Sequence, residues 1–430
     1  MAPGSGNGMQ MTLISEPSVT KRDGGTPRRI AVLSVHTSPL ASLGGREAGG
    51  MNVYVRELSQ AMGARGYVVD VFTRRAHTGA PDTQPFGPNA RVINIDAGPA
   101  GPIEKEALAT HLREFESNLL AFAEREGIAY DMVHSHYWMS GEVATRLAER
   151  WQVPHVAMFH TLGEVKNRAR ATEHEPASRI DAERAIATSA DRIVVASAHE
   201  KHLLTALYGA DAERIAIVPC GVDLDLFAPM EKEFARRHLG LKDGERVILF
   251  VGRIEPLKGI DILISVAAQL HEDENFIVLI VGGGARAAAE IEQLRAQAER
   301  LGVGHHISFV GSVEHDQLPL YYNAADVCVV PSYYESFGLV AVESMACGTP
   351  VVASRVGGLT TTVRDGETGY LIPWRCPEPF AERLELLLDN DELRASFGRA
   401  GREAVERFRW ANVADAVGAL YESLLAPATA

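Results

Sequence analysis

The chain has 430 residues, enough for two domains that each bury a core of their own. A hydrophobic content of 46% with 23% charged residues is ordinary for a globular protein, and a net charge of −14 leaves no basic excess to pair with a nucleic-acid backbone. No run of 18 apolar residues is present, which excludes a membrane-spanning helix.

Residues 1–27 are rich in Gly, Pro, Ser and Thr and lack an apolar signal core, so a disordered tail is expected there. The first strand runs from Arg29 to His36. A loop ending in Glu47-Ala-Gly49-Gly50 follows, then a helix over Met51 to Arg65 with an apolar stripe of Val53, Val55 and Leu58. A Gly-rich strand-to-helix turn can bring backbone N–H groups close to phosphate, and it can equally be a plain flexible loop. Strands are expected at Tyr67–Thr73 and Arg91–Ile95. A helix over about 104–126 buries Leu108, Leu112, Phe115, Leu119 and Phe122 at helical spacing and turns an acidic face to solvent.

The strand Asp131–His136 ends in His134-Ser-His136-Tyr137-Trp138. Two histidines at i and i+2 share one face, but no third ligand stands nearby and no metal is expected. Tyr137 lies at the carboxyl edge, where open α/β sheets bind ligands. The strand Pro154–Phe159 leads into His160-Thr161-Leu162-Gly163. Lys166, Arg168, Arg170 and Arg179 then form the densest basic cluster, to which Lys105 can add. They are either solvated loop charges or a pocket for an anionic acceptor. Strands Asp191–Ser197 and Arg214–Pro219 close the first sheet. The segment from Cys220 to Pro229 is the domain junction, and its Asp223-x-Asp225 is too common a spelling to argue a metal. Cys220, Cys328, Cys347 and Cys376 carry neither disulfide nor zinc spacing, and the expected compartment is the cytoplasm.

The second domain opens with the strand Arg246–Val251 and the loop Gly252-Arg253…Lys258-Gly259 ahead of a helix from Ile260. Two cations five residues apart beside two glycines suit a diphosphate. The strand Phe276–Val281 runs into Gly282-Gly283-Gly284, and Ile307–Gly311 into Ser312-Val313. A buried strand over Asp326–Pro331, a loop holding Glu335, a helix opening at Ser336-Phe337-Gly338 and a strand over Pro350–Ala353 make the most informative unit. Glu335 and Glu343 are separated by roughly 12 Å of helical rise. N–H groups around Phe337, Gly338 and Leu339 point out of the helix start, where phosphate is favoured. The unit can hold a polar ring at Glu335, phosphates at the helix start and a second hydroxylated ring at Glu343. On the plainer reading Glu335 caps the helix and Glu343 is a solvated face residue. Gly357-Gly358 and Gly366…Gly369 mark turns, and helices follow at 378–388, 391–407 and 412–425.

The Glu-x7-Glu pair, the Gly-Arg…Lys-Gly loop, Gly-Gly-Met-Asn, Leu33-Ser-Val-His-Thr-Ser-Pro-Leu40 and His134-Ser-His-Tyr-Trp138 together resemble the retaining GT-B glycosyltransferases of family four. Over roughly 29–425 the resemblance is nearest to those that glycosylate inositol phosphate, with the sucrose-phosphate synthases as neighbours. It implies an α/β fold of two Rossmann-like domains facing a cleft. Residues 28–222 would bind the acceptor and 223–409 the nucleotide sugar, with 410–430 crossing back to the first domain. On this resemblance Gly50, Arg253, Lys258, Gly283, Val313, Glu335, Phe337, Gly338, Leu339 and Glu343 meet the donor. Asn52, Lys105, Tyr137, Thr161, Lys166 and Arg179 meet the acceptor. His160 sits by the transferred sugar and, with Arg253, Lys258 and Glu335, forms the catalytic set.

The implied reaction moves GlcNAc or glucose from a nucleoside-diphosphate sugar, UDP-linked by expectation, to a hydroxyl of a small phosphorylated polyol or sugar such as inositol phosphate. The donor phosphate accepts the proton on the same face, and no metal or other cofactor is needed. Transfer to fructose 6-phosphate and nucleotide-sugar epimerisation are the alternatives, and a homodimer is a possible assembly. One departure stands out: Ser178-Arg179 occupies the place of two adjacent arginines in the inositol-phosphate enzymes. A dinucleotide oxidoreductase would want G-x-G-x-x-G, which the chain lacks.

Overall fold

The strands of the chain fall into two sheets, each wound in both directions from its centre. The computed structural model describes residues 25–41, 49–169, 174–270, 275–284, 287–373 and 375–426. The expected tail up to residue 24, the start of the loop at Glu47, Arg170 and the last four residues of the returning segment lie outside them.

The first sheet contains β1 (Arg29–Leu33), β2 (Val68–Arg74), β3 (Thr83–Gly87), β4 (Ala90–Ile95), β5 (Met132–His136), β6 (His155–Met158), β7 (Arg192–Val195) and β8 (Ile215–Ile217). Its order is β3-β4-β2-β1-β5-β6-β7-β8, parallel throughout except for β3. The second contains β9 (Arg246–Val251), β10 (Phe276–Val281), β11 (Ile307–Gly311), β12 (Val327–Val330), β13 (Val351–Ser354) and β14 (Gly369–Ile372), all parallel in the order β11-β10-β9-β12-β13-β14. Helices cover both faces, so the inner Val- and Ile-rich strands are buried on each side, which is why they read as continuous apolar runs. Chain direction across each sheet reverses between β1 and β5 and between β9 and β12. Such a reversal opens a crevice at the carboxyl ends of the strands.

Some expectations need correction. The helix expected over 104–126 is two, Lys105–Ala109 and Leu112–Arg125, broken at Thr110-His111. β1 stops at Leu33, so His36 belongs to the loop beyond it. The hairpin strand β3 and the helices Ala177–Ser189 and Lys232–Leu239 had no place in the sequence reading.

The helix Trp410–Leu425 returns to the first lobe. Arg65 pairs with Asp415 at 2.8 Å, Tyr67 OH donates to Glu422 at 2.6 Å, and Tyr421 OH meets His134 Nδ1 at 2.6 Å. The chain therefore crosses between lobes twice, and the crossings lie side by side: Val222 N donates to Phe408 O at 2.8 Å. Gly221 leaves room there for the Trp410 indole, which would sit 2.3 Å from any Cβ at that position. Among the described residues no helix is long and apolar enough to cross a membrane.

Candidate active site

The two crevices face each other and merge into one cleft. From the first lobe it is lined by the loops after β1, β5 and β6, and from the second by the loops after β9 and β12. Gly50, Lys105, Tyr137, His160, Thr161, Lys166 and Arg179 are on one wall. Arg253, Lys258, Glu335, Phe337, Gly338 and Leu339 are on the other.

On the first wall, Tyr137 directly follows β5 and His160 comes two residues after β6, and each adopts a left-handed backbone, φ 75° and 60°. That conformation costs a residue with a side chain about 1–3 kcal/mol and persists where its surroundings enforce it. For Tyr137 the enforcing contact is its N–H on Met158 O at 2.9 Å, just before the helix Trp138–Trp151 starts. Its ring lies 4.5 Å from the His36 ring, with the Arg179 guanidinium 4.9 Å and the Lys105 ammonium 5.5 Å from its centroid. Cations on an aromatic face are held by its quadrupole. His160 Nε2 faces His136 Nδ1 at 2.9 Å, and the Tyr54 ring packs edge-on at 5.3 Å. Burial pushes His160 and His134 down to about 3, and His36 and His136 also well below the usual imidazole value, so this wall carries neutral imidazoles.

Arg179 is buried, at 2% exposure, yet remains charged because carboxylates and Thr161 take most of its donors. Nε reaches Glu183 at 2.7 Å, Nη1 reaches Glu175 at 2.8 Å, and Nη2 donates to Thr161 O and Oγ1 at 3.0 and 3.1 Å. Lys166 pairs with the same Glu175. Glu183 is fully buried and also accepts Gly163 N and Tyr208 OH. Arg168 turns away to Glu164.

On the second wall, Lys258 Nζ and Glu335 Oε2 are 2.7 Å apart, and Arg253 pairs with Glu255 at 2.9 Å. The Glu335 loop is held from behind by Gly357-Gly358. Gly358 N donates to Glu335 O at 2.9 Å, and a Cβ on Gly357 or Gly358 would fall 2.0 Å from Glu335 O or 2.1 Å from Ser336 O. Gly338, with φ 92°, precedes the helix Leu339–Ala346, whose first N–H groups have no intrahelical partner. Beside a Lys and an Arg, that end favours anionic phosphate. The walls come close where a Cβ on Gly50 would lie 2.8 Å from Leu339 Cδ1.

Four expected site residues are not on the cleft wall. Glu343 is buried on the Leu339–Ala346 helix and accepts from Tyr322 OH at 2.8 Å, with His315 Nε2 at 3.2 Å. Asn52 is buried and ties its own loop together, donating to Thr37 Oγ1 and Ser38 O and accepting from Gly49 N. Gly283 O accepts from Ser312 Oγ at 2.6 Å, and Val313 follows that serine. The Asp223 carboxylate caps Asp225 N and Leu226 N, a turn-forming use that explains the Asp-x-Asp spelling.

Sequence reasoning missed His36, Glu175, Glu183 and Tyr334. His36 and Tyr334 adjoin recognised segments at carboxyl strand ends, and that edge position was the available signal. Glu175 and Glu183 stand four residues either side of Arg179, an i,i+4 spacing that is the one local signal for them, while Lys166, Gly163 and Tyr208 reach them from other elements.

Two family models match the chain: Glycosyltransferase Family 4 over residues 48–226 and Glycosyl transferases group 1 over 231–404. The D-inositol 3-phosphate glycosyltransferase of Acidothermus cellulolyticus is 45% identical over 411 residues, covering 93% of this chain and 91% of that protein. The enzyme of the same name from Mycolicibacterium smegmatis is 43% identical, covering 92% and 91%. Among solved structures, a sucrose-phosphate synthase from Thermosynechococcus elongatus superposes with a TM-score of 0.86 at 38% identity, covering 92% of this chain and 99% of that one.

Proposed function

The chain belongs to the family 4 glycosyltransferases, and from that premise we propose that it moves N-acetylglucosamine or glucose from a UDP-linked donor to a hydroxyl of inositol phosphate, with retention. One observation carries the reading: a single cleft opposes a diphosphate-suited wall of Arg253, Lys258 and Gly338 to an anion-suited wall of Lys105, Lys166 and Arg179. The name shared by its curated relatives supports inositol phosphate as the acceptor.

In this reading Arg253, Lys258 and the N-terminus of the Leu339–Ala346 helix meet the diphosphate, and no metal is needed to offset the charge that builds as the glycosidic bond breaks. Glu335 meets the sugar hydroxyls. The neutral His160 lies beside the sugar as a hydrogen-bonding group and holds no charge to give up near neutral pH. Tyr137, Thr161, Lys166 and Arg179 fix the acceptor so that its hydroxyl approaches on the face the diphosphate leaves. Pre-orientation of two substrates supplies much of the rate of such a transfer.

The test is a matrix of UDP-, GDP- and ADP-sugars against inositol phosphate, fructose 6-phosphate and their unphosphorylated forms, with products identified by mass spectrometry. A glycosylated inositol phosphate formed from a UDP-sugar supports the reading; its absence, with another acceptor used, rejects it. Transfer to fructose 6-phosphate is the second reading, favoured by the 38% identity to a sucrose-phosphate synthase, and the same matrix separates the two.

A further inference from the structure

We propose that Glu175 is a positioning residue that makes the acceptor half of the cleft selective for a phosphorylated acceptor. The proposal rests on the acceptor reading above and deepens it. Glu175 is not on the cleft wall, whereas the two cations it bridges, Lys166 and Arg179, are. One carboxylate oxygen takes the Lys166 ammonium and the other takes Arg179 Nη1 at 2.8 Å. Its backbone is fixed as well, since Glu175 N donates to Asn167 Oδ1 at 2.6 Å and Asn167 is one residue from Lys166.

Counting donors shows what the bridge does. A guanidinium has five N–H groups. Among the described residues, Arg179 gives one to Glu183, one to Glu175 and two to Thr161, which leaves one, on Nη1. An ammonium has three donors, and among the described residues Lys166 gives one, to Glu175. The donors left for an acceptor anion are therefore on the same two nitrogens that Glu175 holds. A lysine on a free four-carbon stem samples many positions, and two adjacent cations repel. A carboxylate gripping both removes that freedom and that repulsion, leaving their remaining N–H groups at a set spacing facing the cleft. An uncharged acceptor makes no use of the arrangement.

The test compares the wild type with Glu175→Gln and Glu175→Asp, after equal thermal midpoints have shown that the variants fold. Gln keeps the size but places an amide N–H₂ against one of the cations. With Glu175→Gln the KM for inositol 3-phosphate is expected to rise on the order of tenfold, as loss of charge-assisted bonds implies. Under the proposal kcat, the donor KM and the KM for unphosphorylated inositol stay within twofold, and Asp gives an intermediate rise. An unchanged KM, a lower KM, or an equal rise for both acceptors overturns the proposal. Binding of inorganic phosphate, followed by phosphorus NMR, is an arm that needs no transfer: weaker binding to Glu175→Gln supports the proposal, and equal or tighter binding overturns it. If the wild type fails to glycosylate inositol phosphate while this arm succeeds, the acceptor reading falls and the role of Glu175 stands.

Discussion

Lys258 and Glu335 sit on different loops, one after β9 and one after β12, and their charged groups meet at 2.7 Å across the line where the second sheet reverses. Both are partly exposed to the cleft, so the pair contributes little to the stability of the fold. What it does is hold a cation and an anion side by side in a cleft that, in the proposed reading, receives a charged diphosphate and a hydroxyl-rich sugar.

Lys258→Ala is expected to reduce kcat by about 10²–10³-fold, the usual loss when one preorganised charge at a developing anion is removed. The thermal midpoint should move by only a few degrees. Steady-state rates and a melting curve on the same preparation check both; near-normal turnover would reject the assigned role of Lys258.

Glu335→Gln keeps the shape but removes the charge facing Lys258. Transfer is expected to drop by at least tenfold while UDP binds within about threefold of wild type, because phosphates and sugar are met by different groups. Calorimetric titration with UDP separates the two effects. Loss of nucleotide binding in a folded variant would mean that Glu335 belongs to the nucleotide half of the site.

Gly358→Ala forces a methyl into a space where Ser336 O would be 2.1 Å away. Backbone must move to admit it, at a cost of about 1–3 kcal/mol. The moving backbone carries Glu335, so the expected result is a tenfold or larger fall in kcat/KM with a lowered midpoint. A variant equal to wild type in both would show that the Glu335 loop is not held from behind.

The pH dependence of stability has two opposed parts. Burial lowers His134 and His160 to about 3 and His155 to about 4, from an ordinary 6.5. Below pH 6.5 the unfolded chain takes up protons that these rings refuse, so stability is lost as pH falls through the window from 6.5 to about 3. Burial raises Glu200 from 4.5 to about 7, so it acts the other way between those values: stability falls as pH rises. Each group contributes up to about 1.4 kcal/mol per pH unit, and the histidines outnumber the carboxyl. Melting temperatures from pH 7 to 4.5 should therefore decrease toward acid, and Glu200→Gln should make that decrease steeper. A flat profile would mean that these imidazoles are charged in the fold.

Much of this was legible before any coordinates. β9 and β10 begin and end where their apolar runs do, because a strand buried on both faces admits few polar residues. β3 was hidden since Thr-Gln-Pro-Phe-Gly is an exposed edge strand with a proline, which no apolar pattern marks. Arg253, Lys258, Glu335 and Gly338 could be placed near one edge because they lie on short loops at strand ends, and thirteen of the expected site residues do line the cleft. Glu175 and Glu183 could not be found that way. Their i,i+4 spacing from Arg179 is a signal for that one pairing, but no local pattern ties them to Lys166 or Tyr208, which lie on other elements.

The paired passage of the backbone at Val222 and Phe408 has a mechanical consequence. A single tether would let one half of the molecule swivel freely against the other. Two tethers laid alongside each other, with the Trp410 indole wedged on Gly221, leave one easy rotation, like a door on two hinges. Any opening of the cleft about that line would part Leu339 from Gly50 and bring them back along the same arc.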